Sequence, residues 1–257
     1  ISPEQGMGDV IQFIRYLRLL KQFGCKVVFE APKPLTRLLQ HSGVADQLIE
    51  PGEDPPAIDY HAALLDLPQL LNTTLETIPS YDSYLSTPLD LKKEWEDRLG
   101  PRKTFRIGIT WAGRPEHKDD RYRSIDLTFF QAITEMPDVL VYSLQVGKDG
   151  EAVDRFGEGI TDLAPAFTDF SETAAAISQL DLIISVDTSV AHLAGALGHP
   201  VWMLIPFIPD WRWLIERDDS PWYPTMRLFR QKTPDNWDDV FRDVHAALVD
   251  KLKFKKE

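Results

Sequence analysis

The stretch V-D-T-S-V-A-H-L-A-G-A-L-G-H-P, residues 186–200, decides the fold of this chain. It follows Leu182-Ile183-Ile184-Ser185 and precedes Val201-Trp202-Met203-Leu204-Ile205. Short apolar runs bounded by turn residues read as buried strands, and the alanine- and leucine-rich segment between them reads as a helix. The order is therefore strand, tight polar turn, helix, strand. Asp187, Thr188, Ser189 and His192 fall where the first strand ends and the helix begins. A helix start offers unpaired backbone N–H groups and a partial positive charge, a natural seat for phosphate. In a sheet of parallel strands that edge is also where ligands bind. The expectation is a phosphate-bearing ligand at this turn. The plainer alternative is that Thr188 or Ser189 caps the helix and His192 is an interior residue.

Outward from this stretch, strands and helices alternate, the signature of a parallel α/β sheet. In the first half, residues 10–23 place apolar side chains at helical spacing, 26–30 read as a strand, 34–40 as a short helix, and 48–50 and 60–65 as strands. Proline-containing connections at 51–59 and 79–88 and a charged helix at 91–99 lead to a second series. Its expected strands are 105–111, 139–145, 182–186 and 201–205, and its helices 127–134, 170–179 and 189–197. An amphipathic helix at 236–254 ends it. The expected organisation is a reduced first lobe (1–90), a second lobe (91–235) and a C-terminal helix (236–257), with a cleft between the lobes. Only residues 1–5 precede the first turn, where a full strand belongs.

The 257 residues are 43% hydrophobic, as in globular chains, with 28 Lys+Arg against 40 Asp+Glu and a net charge of −12. Nucleic-acid binding needs a basic footprint, so that class is set aside, and an anionic membrane surface with it. Cys25 is the only cysteine, which excludes an internal disulfide and fits a reducing, cytoplasmic setting. No apolar run approaches the ~18–20 residues of a membrane span. The chain starts at Ile1 without an initiator Met or signal-peptide pattern, so sequence upstream is expected.

Four constellations carry chemistry. Glu4-Gln5-Gly6-Met7-Gly8-Asp9 precedes a helix, and its glycines permit a tight turn and close backbone approach to a ligand. It fails as a dinucleotide fingerprint, because Ile11 stands where the third glycine belongs. Asp9 is either a helix-start cap or a general base facing the cleft. Trp111-Ala112-Gly113-Arg114 leads into a cationic loop with Lys118, Arg121 and Arg123, able to neutralise a diphosphate or simply solvated and self-paired. The third is the opening turn itself. Asp187 and His192 are five residues apart, so only the turn can bring them together. Fourth, Trp202, Trp211, Trp213, Trp222 and Trp237 lie among prolines; most read as packing, with Trp211 or Trp213 as possible stacking faces for sugars and bases. Metal-ligand spacings, the P-loop and the nucleophile elbow are absent from the sequence.

Together, the early G-x-G-D turn (residues 6–9) and the late D-T-x-x-x-H-L-x-x-A-L-G-x-P turn (187–200) resemble family nine glycosyltransferases, the heptosyltransferase-like group. The phrases E-Q-G-M-G-D-V-I-Q-F-I-R-Y (4–16), G-I-T-W-A-G (108–113) and R-Y-R-S-I (121–125) are most similar to glycosyltransferase domains at the C-terminal end of bacterial tetratricopeptide-repeat proteins. The resemblance implies a GT-B architecture, with two Rossmann-like lobes, acceptor side first and donor side second, and with the C-terminal helix (236–257) packing back toward the first lobe. It implies inverting, metal-independent transfer from a nucleotide sugar to a protein or glycan acceptor, with no cofactor and a possible repeat domain upstream. Asp9 would be the base; Gly8 and Trp111 would border the substrates. Asp187, Thr188, Ser189 and His192 would hold the diphosphate and nearby hydroxyls. Arg123 would be the cation near the leaving group, with Gln145 and Lys148 as further donor contacts. The alternatives are a non-catalytic nucleotide-sugar-binding module and a GT-B sugar-nucleotide epimerase.

Overall fold

The computed structural model describes residues 1–115 and 120–254, apart from the side chains of Lys148 and Phe254. Among the described residues eight strands follow in chain order: β1 (Val28–Glu30), β2 (Gln47–Ile49), β3 (Phe105–Thr110), β4 (Val139–Ser143), β5 (Ile160–Asp162), β6 (Leu182–Val186), β7 (Val201–Ile205) and β8 (Met226–Arg230). The last six form one parallel sheet in the order β5-β4-β3-β6-β7-β8. The chain thus runs outward from β3 to β5, returns to β6 beside β3, and runs outward again to β8. The switch of direction falls between β3 and β6, and the crevice at the carboxyl ends of such neighbours is where open α/β sheets bind ligands.

Strands β3, β6 and β7 are buried along their whole length. That is why β6 and β7 read as near-continuous apolar runs rather than alternating ones: both faces of the sheet are covered. Successive residues still point to opposite faces. Ile183 joins one apolar cluster, whereas Leu182, Ile184 and Val186 join another. The first cluster runs without a break from Val10 in the first half, through Trp95, to Met226 near the end of the sheet. Helix Leu89–Leu99 anchors the junction of the halves through Trp95, whose indole N–H donates to Glu172 at 2.7 Å.

The first half is small. Strands β1 and β2 pair in parallel, and Ile1 and Ser2 act as a stub alongside them. Glu30 N–H donates to Ile1 C=O at 3.0 Å, and Leu64 N–H donates to Ser2 C=O at 2.9 Å. Residues 60–65, expected as a strand, contribute one bridge at Ala63 and then a 3₁₀ turn, Leu64–Asp66. The expected first helix also differs. It begins earlier, as Met7–Phe13, and passes through a 3₁₀ turn, Ile14–Tyr16, into Leu17–Gln22. The cause is local: Arg15 Nε donates to Gln12 C=O at 2.7 Å, competing for the carbonyl that Tyr16 N–H would use in a continuous helix.

Strands β5 and β8 were not foreseen from sequence. Both are short edge strands, and β8 mixes charged and apolar residues. The C-terminal helix Trp237–Phe254 has the expected apolar stripe, but its destination is different. Trp237, Val240, Phe241, Val244 and Leu248 all join the second cluster, built from residues 105–252. The ring of Phe241 packs edge-on against Phe130 at 4.9 Å and stacks on Phe129 at 5.3 Å. The stripe is consumed on the second lobe, so none of its buried residues joins the cluster shared with the first half. No helix among the described residues is long and apolar enough to cross a membrane.

Candidate functional site

Two helix starts meet at the carboxyl edge of the β3–β6 switch point. One is Met7–Phe13, entered through Gly6; the other is Ser189–Ala196, entered through Thr188. Their approach is close because residue 8 is glycine: a Cβ there would lie 3.0 Å from His192 Cδ2 and 3.6 Å from Ser189 Cα. The sequence turns read separately, Gly8-Asp9 and Asp187-Thr188-Ser189, are thus neighbours in space.

Thr188 occupies the N-cap position but its hydroxyl makes no capping bond. It turns instead toward Ser185 Oγ, at 3.1 Å, which in turn contacts Thr110 Oγ1 at the end of β3. The N–H groups of Ser189 and Val190 therefore keep the lack of an intrahelical acceptor that any helix start has. That is the donor set an anion needs.

Around this seat the side chains form a linked network. Asp187 accepts from the Trp213 indole N–H at 2.8 Å and lies 3.4 Å from His192 Nε2. Burial alone would raise its pKa, but the His192 contact, the Trp213 bond and the nearby Arg212 charge outweigh burial and hold it at about 2. The other ring nitrogen of His192, Nδ1, is 2.8 Å from the Tyr223 hydroxyl. Both nitrogens are thus engaged, and the buried ring buttresses the turn. Asp187 likewise spends its carboxylate on Trp213 and His192 rather than presenting it to solvent.

Arg123 is placed at the turn. Its Nη1 donates to Asp187 C=O at 2.9 Å, and its Nε pairs with Asp120 at 3.0 Å. Asp120 also accepts from Ser124 Oγ at 2.8 Å, which receives Gly113 N–H at 2.9 Å. The cationic loop is therefore partly self-paired, as the plainer reading of it held. Gln145 is buried and its side-chain oxygen receives both Trp111 N–H and Ala112 N–H at 3.1 Å. It ties the end of β4 to the loop after β3, which is a scaffold role, and Trp111 is buried beside it. Lys118 and the side chain of Lys148 lie outside the described residues.

Asp9 sits in the first turn of its helix and does two things. One oxygen accepts from Gly6 N–H at 3.0 Å, and the other pairs with Arg212. A carboxylate has about four lone-pair sites, so two remain for a substrate hydroxyl. Arg212 also reaches Gln12 Oε1 at 2.6 Å and Asp210 at 2.9 Å. It is the main residue that sequence reading missed. The available signal was a single arginine between two tryptophans in D-W-R-W, residues 210–213, which was read only for its aromatics. Of those aromatics, Trp213 is fully buried and is corrected from a stacking face to an Asp187 donor. Trp211 is 59% exposed, stacks on Phe13 at 6.4 Å and has the Arg212 guanidinium over its ring at 5.0 Å. Among the described residues no group of three or more His, Cys, Asp or Glu side chains could hold a metal ion.

Residues 145–204 match the model of glycosyltransferase family 9 (heptosyltransferase), a segment that includes the whole Thr188 turn. The chain is 25% identical to Protein FlbA of Caulobacter vibrioides across 97% of its own length, and spans 46% of that relative. Among solved structures it resembles a family 9 glycosyltransferase from Veillonella parvula, with TM-score 0.67 and 11% identity over 94% of this chain and 90% of that one. It also resembles ADP-heptose LPS heptosyltransferase II of E. coli, with TM-score 0.60 and 14% identity over 97% and 98% of the two chains. The fold is GT-B-like.

Proposed function

We propose that this chain is an inverting glycosyltransferase that moves a sugar from a nucleotide-diphosphate donor to a protein or glycan hydroxyl. The observation that carries the reading is the meeting of two helix starts at the β3–β6 crevice, with a carboxylate on one and free N–H groups on the other. Asp9 accepts the proton of the acceptor hydroxyl, and that oxygen attacks the anomeric carbon. The bond from that carbon to the diphosphate breaks, and the electron pair leaves on the diphosphate oxygen. Charge developing there is met by Ser189 and Val190 N–H and by Arg123, preorganised groups of the kind that contribute most to such steps. This reading gives the departing charge to protein donors and needs no metal or cofactor. Association with a tetratricopeptide array and a cytoplasmic location belong to the same reading; they are supported by the motif phrases at 4–16 and 108–113 and by the single cysteine.

Substituting Asp9→Asn tests the assignment. Loss of a positioned base should lower transfer by about 10²- to 10⁴-fold while nucleotide affinity is retained. Turnover equal to wild type removes Asp9 as base. Donor binding is read from thermal stability: a nucleoside diphosphate at 100 times its Kd adds roughly 2.7 kcal/mol. A second reading, a binding module without turnover, is favoured by one observation, the engagement of both Asp9 oxygens by Gly6 and Arg212. It predicts the nucleotide response without transfer to any acceptor.

A further inference from the structure

One buried cation takes no part in the chemistry above. Arg15 is 1% exposed and has no carboxylate partner among its bonds. Its guanidinium is held by the carbonyls of Gln12, Pro79 and Trp222 and by the Tyr84 hydroxyl at 2.9 Å. It lies over the rings of Tyr84 at 4.6 Å and Tyr223 at 4.7 Å. A guanidinium only donates, so the oxygens near it must present lone pairs to it. Tyr84 obeys this: it accepts from Arg15 and sends its own proton to Ile11 C=O at 2.9 Å. Tyr223 has the same neighbour, and its hydroxyl lies 2.8 Å from His192 Nδ1.

We infer that Tyr223 is a positioning residue for the anion seat: polarised by Arg15, it donates its proton to His192 Nδ1 and so places the ring proton on Nε2, facing Asp187. This rests on the function proposed above, because it assigns Tyr223 to that same seat. Three observations converge on it. Asp187 is an anion at neutral pH and lies on the Nε2 side, where only N–H is tolerated. The Tyr223 ring is buried and packed directly on the site helix: a Cβ on Gly195 would be 2.5 Å from Tyr223 Cδ1. Last, the His192 ring is the surface on which Gly8 rests, so its orientation sets the spacing between the Asp9 turn and the Ser189 turn. Tyr84 is the competing acceptor for the Tyr223 proton, and Asp187 and Tyr223 are the groups bonded to the His192 ring.

The test is the ¹⁵N signature of the His192 ring in the unliganded protein, in wild type and in Tyr223→Phe, which keeps the ring and removes the hydroxyl. The inference expects one protonated nitrogen, Nε2, in wild type, and a mixture of ring forms in the variant. A wild-type ring protonated at Nδ1, or at both nitrogens, overturns it, as does a signature unchanged by the substitution. In the same pair, the Kd for ADP, UDP or GDP, whichever binds wild type, should rise about tenfold in Tyr223→Phe, and a His192 signature that changes while Kd does not would confine Tyr223 to a purely structural role and overturn the positioning claim. If no nucleotide binds wild type, the proposed function fails on its own, while the ring signature still decides which nitrogen carries the proton. An unfolded variant is recognised by loss of dispersed resonances, and Tyr223→Leu, which also removes the hydroxyl and offers no donor, then supplies the comparison; a His192 ring signature identical to wild type in that variant would overturn the inference.

Discussion

Replacing Asp187 with asparagine should destabilise the fold in a way that depends on pH. The ordinary carboxylate value of 3.8 is lowered to about 2 in the folded chain, against the opposing effect of burial, by His192, Trp213 and Arg212. Each unit of such a shift is worth about 1.36 kcal/mol, so the ionised group stabilises the folded state by about 2 kcal/mol. The sign follows from the depressed value. The contribution is fully present above 3.8 and is lost as pH falls through about 2. The substituted amide also turns an N–H₂ toward either the Trp213 N–H or His192, leaving one donor without an acceptor, which adds to the cost. For a chain of this size the melting temperature at neutral pH should drop by about 4–8 °C. Thermal melts across the acid range provide the assay, and the gap between variant and wild type should narrow as the pH approaches 2. An asparagine variant that melts with wild type at neutral pH would refute the reasoning, since the carboxylate would then not be the anchor of the turn.

Gly8→Ala gains about 1 kcal/mol of helix propensity but forces a methyl against a His192 ring pinned at both nitrogens, which costs ~1–3 kcal/mol. The expected net destabilisation, read from urea midpoints, should be relieved in the double variant with His192→Ala. For Arg212→Met, transfer should fall more than tenfold with nucleotide affinity unchanged, because Asp9 loses its clamp; equal steady-state kinetics would show the ion pair to be idle. His199 is held at about 4 by burial and by Arg102, partly offset by Asp181, against an ordinary 6.5. Below 6.5 the unfolded chain takes the proton first, so stability should decline by up to about 3 kcal/mol between pH 6.5 and 4 and level off beneath that, a slope absent from His199→Asn.

Much of the architecture was legible because it is written in local patterns. The runs at 182–186 and 201–205 read as buried strands, and the helix between them was bounded by the polar turn at 187–189 and by Gly198. The Asp9 turn and the Thr188 turn were each visible as short motifs. Edge strands β5 and β8 escaped because pairing on one side demands less of a sequence than burial between two neighbours. The dual role of Asp9, as cap and as partner of a cation, could be read only in half: the capping bond spans three residues, the Arg212 pair 203.

The sequence by itself determined the parallel α/β class and the polar turn after β6. Tertiary structure decided which residues of that turn hold others in place. His192, Asp187, Trp213 and Gln145 all turned inward to satisfy partners, and Arg212 arrived from far along the chain to meet Asp9. The physical reason is that periodicity and capping depend on neighbours within a turn or two, whereas the pairing of a buried polar group depends on whatever the closed fold brings within 3 Å of it.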